Sequence, residues 1–291
     1  MLIGIAFTVS SFAQNPQKEM FYMLGDNCSA FGVDTLPTAF YSFRLLSDCY
    51  NGKCVNIRRS SDNATSDIGF LNGFADTSAL KTFLSSSDGF VVTFYDQSLH
   101  GWNVTQAGTT AQPKIATAGV LIYAGGHLAI QFDGSNDILS GTISYNSTNY
   151  AMFGVTKRSG GTNFTAGPSL GLSTSTSYIG EFNLAATFQA DAEYNTTPIA
   201  QARVGTPNTN LNLCTGLFVG TSILTSDGTS TASATITGSL FNGLDKIALG
   251  GVQRASPVFQ AGYFCEGILY LNDMTAKRTT IESNIKTFYG L

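Results

Sequence analysis

Chemistry in this chain falls first to the side chains that ionise. It has 19 Asp and Glu, 15 Lys and Arg, and two histidines, His100 and His127. The densest group is Arg58-Arg59-Ser60-Ser61-Asp62-Asn63, followed by Asp67 and by Asp96 in Tyr95-Asp96-Gln97-Ser98. Guanidinium forks beside carboxylates form bidentate pairs. The expectation is that Asp62, Asp67 and Asp96 take up the two arginines and lock a long loop. The sharper alternative is a sugar site, because planar donors and acceptors suit vicinal hydroxyls. Trp102, the only Trp, stands beside Asn103 and close to Gln106. Exposed, it would be a stacking platform for a sugar ring; buried, it would anchor the loop. The candidate carbohydrate-binding residues are therefore Trp102, Asn103, Asp96, Arg59 and Asp62.

Other chemistries are poorly represented. No G-x-S-x-G string signals a nucleophile elbow, and neither a P-loop nor G-x-G-x-x-G occurs. The five cysteines are Cys28, Cys49, Cys54, Cys214 and Cys265, with no C-x-x-C pair. With only two histidines, no zinc site is expected. Cys49 and Cys54 flank Tyr50-Asn51-Gly52-Lys53. A hairpin at Asn51-Gly52 would bring their strands together and allow a small-loop disulfide, with free thiols as the alternative. The pairing of Cys28, Cys214 and Cys265 stays open. Asp133-Gly134-Ser135-Asn136-Asp137 is rich in oxygens. We expect a β-turn there, with a structural Ca²⁺ site as the alternative, and no other cofactor.

The elements that position these residues read mainly as strands. Gly89 to Tyr95 is β-branched, aromatic and nearly all apolar, as in a strand buried on both faces. Val120 to Tyr123 and Leu128 to Phe132 resemble paired strands around Gly125-Gly126. Tyr150 to Val155, Lys246 to Gly250 and Gly262 to Leu271 complete the set. Thr221 to Ser239 reads as a long hairpin turning at Ser226-Asp227-Gly228-Thr229. Thr77 to Leu84 could form a short helix capped by Asp76 or Thr77. Thr275 to Tyr289 places Ile281, Ile285 and Phe288 on one helical face, with Thr279 and Glu282 as a capping box. Short strands with turn residues between them predict an all-β jelly-roll sandwich with a short C-terminal helix.

Composition narrows the setting. Hydrophobic residues make up 43% and charged residues 12%, against a usual charged share of roughly 25%. A solvent face of hydroxyls and amides suits an extracytoplasmic β protein. The net charge is -4 with no basic stripe, which argues against nucleic acid as a partner. No apolar run reaches the roughly 18 residues of a membrane span. Residues 1–13 read either as an export signal ending at Ser11-Phe12-Ala13, although without a basic start, or as a first strand. Residues 14–291 read as one domain.

Several strings, in order, resemble one family. They are Phe40-Tyr41-Ser42-Phe43-Arg44-Leu45-Leu46, Val55 to Ala64, Asp67-Ile68-Gly69-Phe70, and Thr93-Phe94-Tyr95-Asp96-Gln97-Ser98 leading into Gly101 to Gln106. Gln112-Pro113-Lys114-Ile115, Ile130-Gln131-Phe132-Asp133-Gly134 and Glu266 to Tyr289 follow. Together they are similar to the catalytic domain of the family 54 α-L-arabinofuranosidases. They are equally similar to related concanavalin A-like modules of bacterial surface proteins and bacteriophage virion proteins. The resemblance implies a Glu nucleophile in the central part of the chain, for which Glu181 is the candidate. It also implies an Asp acid in a late Gly-Gly-Asp string. Here that string reads Gly250-Gly251-Val252, and Val252 cannot transfer a proton. The family's adjacent Cys-Cys pair is absent. Asp245, Glu266 or Asp273 would have to replace the acid.

The leading expectation is thus an extracytoplasmic carbohydrate-recognition, adhesion or surface-structural module that does not catalyse. Its partners would be glycan surfaces, further copies of itself, or capsid or surface proteins. The alternatives are a virion structural protein, as a capsid decoration or fibre component, and a retaining α-L-arabinofuranosidase.

Overall fold

The computed structural model describes residues 30–31, 33, 35–47, 49–159, 165–183, 190–194, 200–206, 208–237 and 243–291, with the backbone alone at 165–166, 181–183 and 190–194. The N-terminal stretch 1–13 and Cys28 lie outside them.

The chain forms an all-β sandwich, as expected. One sheet is built on the strand Ala261–Tyr270. Ala39–Ser42 and Ile130–Asp133 pair with it end to end along one edge. Tyr150–Arg158 pairs along the other, followed by Leu211–Val219, Ser222–Ser226 and Thr231–Thr235. The second sheet runs Thr65–Ile68, Val55–Arg59, Gly89–Phe94, Val104–Thr105, Leu139–Thr142, Lys246–Leu249, Thr165–Gly171, Tyr178–Asn183, Ala190–Tyr194 and Ala200–Val204. All of these pairings are antiparallel. The sheets join through the strand Lys114–Thr117, which pairs with Gly89–Phe94 and, at Lys114, with Gln131.

Alternation along the strands separates two cores. Tyr41, Met152, Phe218 and Leu269 face the main core between the sheets, with Phe94 and Phe264. Their chain neighbours Phe40, Phe153, Leu217 and Ile268 face a second core on the outside of the first sheet. Tyr150–Arg158 is therefore covered on both faces, and eight of its nine residues are buried. Gly89–Phe94, by contrast, alternates buried and half-buried positions. The expectation of burial on both faces fails there, since Phe90, Val92 and Thr93 keep part of their surface exposed.

Among the described residues, two helices close the fold. Helix α1, Thr77–Leu84, begins at Asp76, whose carboxylate accepts from the backbone N–H groups of Ser78 and Ala79, and buries Leu80 and Leu84 in the main core. Helix α2, Arg278–Tyr289, lays Ile281, Ile285 and Tyr289 on the second core and ends at Gly290 with φ 69°. It starts three residues later than expected, and the capping box is not formed. Lys277 occupies the cap without a side-chain bond, and Glu282 instead pairs with Arg278 one turn away. The hairpin at Ser222–Ser226 and Thr231–Thr235 turns where the sequence placed it.

The hairpin expected at Asn51-Gly52 is absent, and with it the Cys49–Cys54 disulfide. Cys54 is drawn into the main core as a free thiol, fully buried, with its Sγ 3.5 Å from the Ser42 carbonyl. Cys49 stays exposed at the surface, and its own partner is not among the described residues. Cys214 and Cys265 are also buried.

Candidate functional site

The arginines and acids singled out in the sequence are brought into three fastenings. Arg58 donates from Nε to Gln112 Oε1 (2.7 Å), from Nη1 to Asn63 Oδ1 (2.9 Å) and from Nη2 to the Thr109 carbonyl (3.1 Å), above the Phe90 ring. Arg59 makes the bidentate pair, with Nε and Nη2 donating to Asp62 Oδ1 and Oδ2 at 2.9 and 2.7 Å. Its remaining nitrogen reaches the Phe83 carbonyl at 3.0 Å. Asp62 is held down at a pKa of about 2 by the Arg59 hydrogen bond and the Ala64 backbone N–H.

Asp96 is taken up differently, by loop amides and a hydroxyl and not by an arginine. It is 3% exposed. Its Oδ1 accepts from the Phe40 and Ser98 N–H groups, and its Oδ2 accepts from Ser98 Oγ and the Trp102 N–H. Asn103 Oδ1 accepts the Asp96 N–H at 2.9 Å. Trp102 is half-buried against the main core, with His100 5.4 Å away, ring to ring. Asp67 binds Asn56 and the Tyr95 hydroxyl, again without an arginine. Of the five candidate sugar contacts, Asp96 has its oxygens committed to the loop, while Arg59 and Asp62 are committed to each other.

A fourth fastening was not foreseen as such. Arg44 donates to both oxygens of Glu266 (2.7 and 2.8 Å), and Ser42 Oγ and the Tyr289 hydroxyl donate to the same carboxylate. Arg44 Nη1 also reaches Asn284 of α2. Glu266 is fully buried. The clue in the sequence was a Glu inside an apolar strand, since a buried carboxylate requires a cationic or donor partner.

The two positions that the resemblance implied for a catalytic pair, Glu181 and Val252, fall on the second sheet and just beyond one of its strands. Glu181 lies on Tyr178–Asn183 with its backbone opposite Ala192; its side chain is outside the described ones. One strand away across Thr165–Gly171, the chain leaves Lys246–Leu249 into Gly250-Gly251-Val252. The two segments are thus neighbours, joined through Ser169, which pairs with Gly180 and donates from Oγ to the Gly251 carbonyl at 2.6 Å. Val252 is 1% exposed and packs with Tyr178. The glycines before it have packing reasons of their own. Gly250 has φ 78°, and a Cβ there would stand 2.1 Å from Phe132; one at Gly251 would stand 2.1 Å from the Val258 carbonyl. The Gly-Gly string is required by close approach, independently of any acid.

The replacement acids are engaged elsewhere. Glu266 is sealed beneath α2 by Arg44. Asp273 accepts the Thr275 N–H in the loop before α2. Asp245 lies nearest, at the start of Lys246–Leu249. Burial tends to raise its pKa, but the Ser173 hydrogen bonds at 2.6 and 2.7 Å outweigh it and hold the carboxyl below its ordinary value. A general acid needs the opposite shift. At Asp133–Asp137 the carboxylates close a turn on themselves. Asp133 Oδ1 accepts from the N–H groups of Ser135, Asn136 and Asp137, and Asp137 Oδ2 accepts from the Asp133 N–H. This is the expected turn, and among the described residues no cluster of three or more His, Cys, Asp or Glu could hold a metal.

Residues 28–162 match the family model described as "Alpha-L-arabinofuranosidase B, catalytic". Alpha-L-arabinofuranosidase B of Penicillium canescens is 36% identical over 80 residues, covering 27% of this chain and 17% of that protein. A GH54 α-L-arabinofuranosidase soaked with a cyclic sulfate inhibitor superposes with a TM-score of 0.59 at 18% identity, over 89% of this chain and 62% of that one. An arabinofuranosidase complexed with arabinofuranosyl-α-1,2-xylobiose gives 0.58 at 17%, over 91% and 64%. This chain therefore spans less than two thirds of the length of these relatives. The family-model match ends at residue 162, before Glu181 and Val252. Residues 28–162 thus resemble the catalytic domain of the family 54 α-L-arabinofuranosidases, and the chain takes the β-sandwich fold of those enzymes.

Proposed function

We propose that this chain is an extracytoplasmic carbohydrate-recognition module that keeps an arabinofuranosidase-like sandwich and has lost hydrolysis. The observation that carries this reading is Val252. A buried apolar side chain stands where the resemblance implies the acid, and Asp245, Glu266 and Asp273 are each committed to other partners. Retaining hydrolysis needs two carboxyl groups about 5–5.5 Å apart across the scissile bond. Removing the acid typically costs about 10²–10⁴-fold in rate. The polar, weakly charged surface suits a neutral glycan better than a charged polymer.

The test is release of 4-nitrophenol from 4-nitrophenyl α-L-arabinofuranoside, together with binding to a panel of arabinose- and xylose-containing oligosaccharides. We expect no turnover above background and saturable binding to some of the panel. Turnover that disappears in Glu181→Gln would overturn the reading. No binding, with defined oligomers by light scattering, would favour a structural role on a particle or cell surface.

A further inference from the structure

Away from the Glu181 and Val252 segments, the described surface carries a cleft of about 380 Å³ at the end of α2. Three separate segments wall it. Phe74 comes from the small hairpin Phe70–Ala75, Tyr123 and His127 from the hairpin Tyr123–Leu128, and Phe288 from the last turn of α2. Phe74 and Phe288 lie nearly parallel, 18° apart with centroids at 6.0 Å. Phe74 is 51% and Tyr123 47% exposed, and among the described residues no other Phe, Tyr or Trp ring is exposed to that degree.

The lining has a distinct chemistry. Arg44 lies over Phe288, Cζ 4.2 Å from the centroid, and its Nε, Nη1 and Nη2 each donate to Glu266 or Asn284. The charge beneath the cleft is thus already matched, so the lining offers nothing to an anion. His127 sits 5.2 Å from Phe288 and 4.6 Å from Tyr289, and burial lowers its pKa, which favours the neutral ring. Thr77 and Tyr123 add hydroxyl-bearing side chains. Small-molecule sites have about 300–1,000 Å³, aromatic walls and a few polar groups.

We infer that this cleft is a binding site for a neutral sugar of one or two rings, stacked on Tyr123 and Phe74 and hydrogen-bonded by His127 and hydroxyl-bearing side chains of the rim. Sugar rings carry apolar C–H faces and a hydroxyl edge, which is the complement of this lining. The inference rests on the carbohydrate-recognition reading and gives it a location apart from the Trp102 loop.

The experiment is isothermal titration of the full chain with L-arabinose, xylobiose and arabinofuranosyl-xylobiose, repeated on Tyr123→Ala, Phe74→Ala and, as a control outside the cleft lining, the exposed Val120→Ala. Both cleft rings are half-exposed, so thermal unfolding should confirm that their variants remain folded. The expected result is a roughly tenfold or greater rise in Kd for Tyr123→Ala and Phe74→Ala, with Val120→Ala close to the parent. Undiminished binding in folded cleft variants would overturn the location and leave the recognition reading standing. No binding of any of the three sugars by the parent chain would overturn both.

Discussion

Arg44 and Glu266 show what an ionisable pair does when it is not an active site. Each charge taken from water costs several kcal/mol, which is recovered only with good geometry and further hydrogen bonds. Here Ser42, Tyr289 and Asn284 supply those bonds. Removing one partner should be worse than removing both. Glu266→Gln is expected to lose about 3–5 kcal/mol of unfolding free energy in urea denaturation, and Arg44→Met with Glu266→Leu to recover much of that loss. Gly250→Ala has a separate reason to fail. It forces a left-handed φ on a side chain and drives its Cβ into Phe132, so a loss of about 1–3 kcal/mol or more is expected. A Gly250→Ala variant as stable as the parent would show that the glycine is not needed for packing.

At the scale of elements, the turn Asp133–Asp137 gives a pH signature. Burial, and then the charge on Asp133, raise the Asp137 pKa to about 6 from an ordinary 3.8. A raised carboxylate pKa means that the fold favours the protonated form. That stabilisation is complete below about pH 3.8 and is lost as pH rises through about 6. Asp137→Asn keeps an acceptor for the Asp133 N–H and removes the charge. It should raise the thermal midpoint at pH 7 and converge with the parent below pH 4. A midpoint difference that does not change with pH would refute the assignment. Helix α1 offers a simpler check. Asp76→Ala removes the acceptor for two backbone N–H groups and should cost about 1 kcal/mol.

At the scale of the whole molecule, recognition of a neutral ligand predicts little dependence on salt. Affinity for a responsive glycan should change less than about twofold between roughly 50 and 500 mM NaCl, because no ion pair with the ligand is screened. The steep salt dependence of phosphate-backbone binding would be the contrary result. The sequence alone determined the fold class, α1 with a cap at Asp76 or Thr77, and the turns at Ser226 to Thr229 and Asp133 to Asp137. Those features follow from local periodicity, capping and turn chemistry, which act within a few residues. It also determined that Val252 cannot be an acid, a matter of side-chain identity. Tertiary structure decided the rest. Whether Cys54 met Cys49 or entered the core depended on what the core drew in. Which carboxylate Arg44 would find, 222 residues away, depended on strand pairing that local patterns do not encode. The cleft of Phe74, Tyr123, His127 and Phe288 exists only because two small hairpins and a helix end pack together, and no spacing along the chain announces such a meeting.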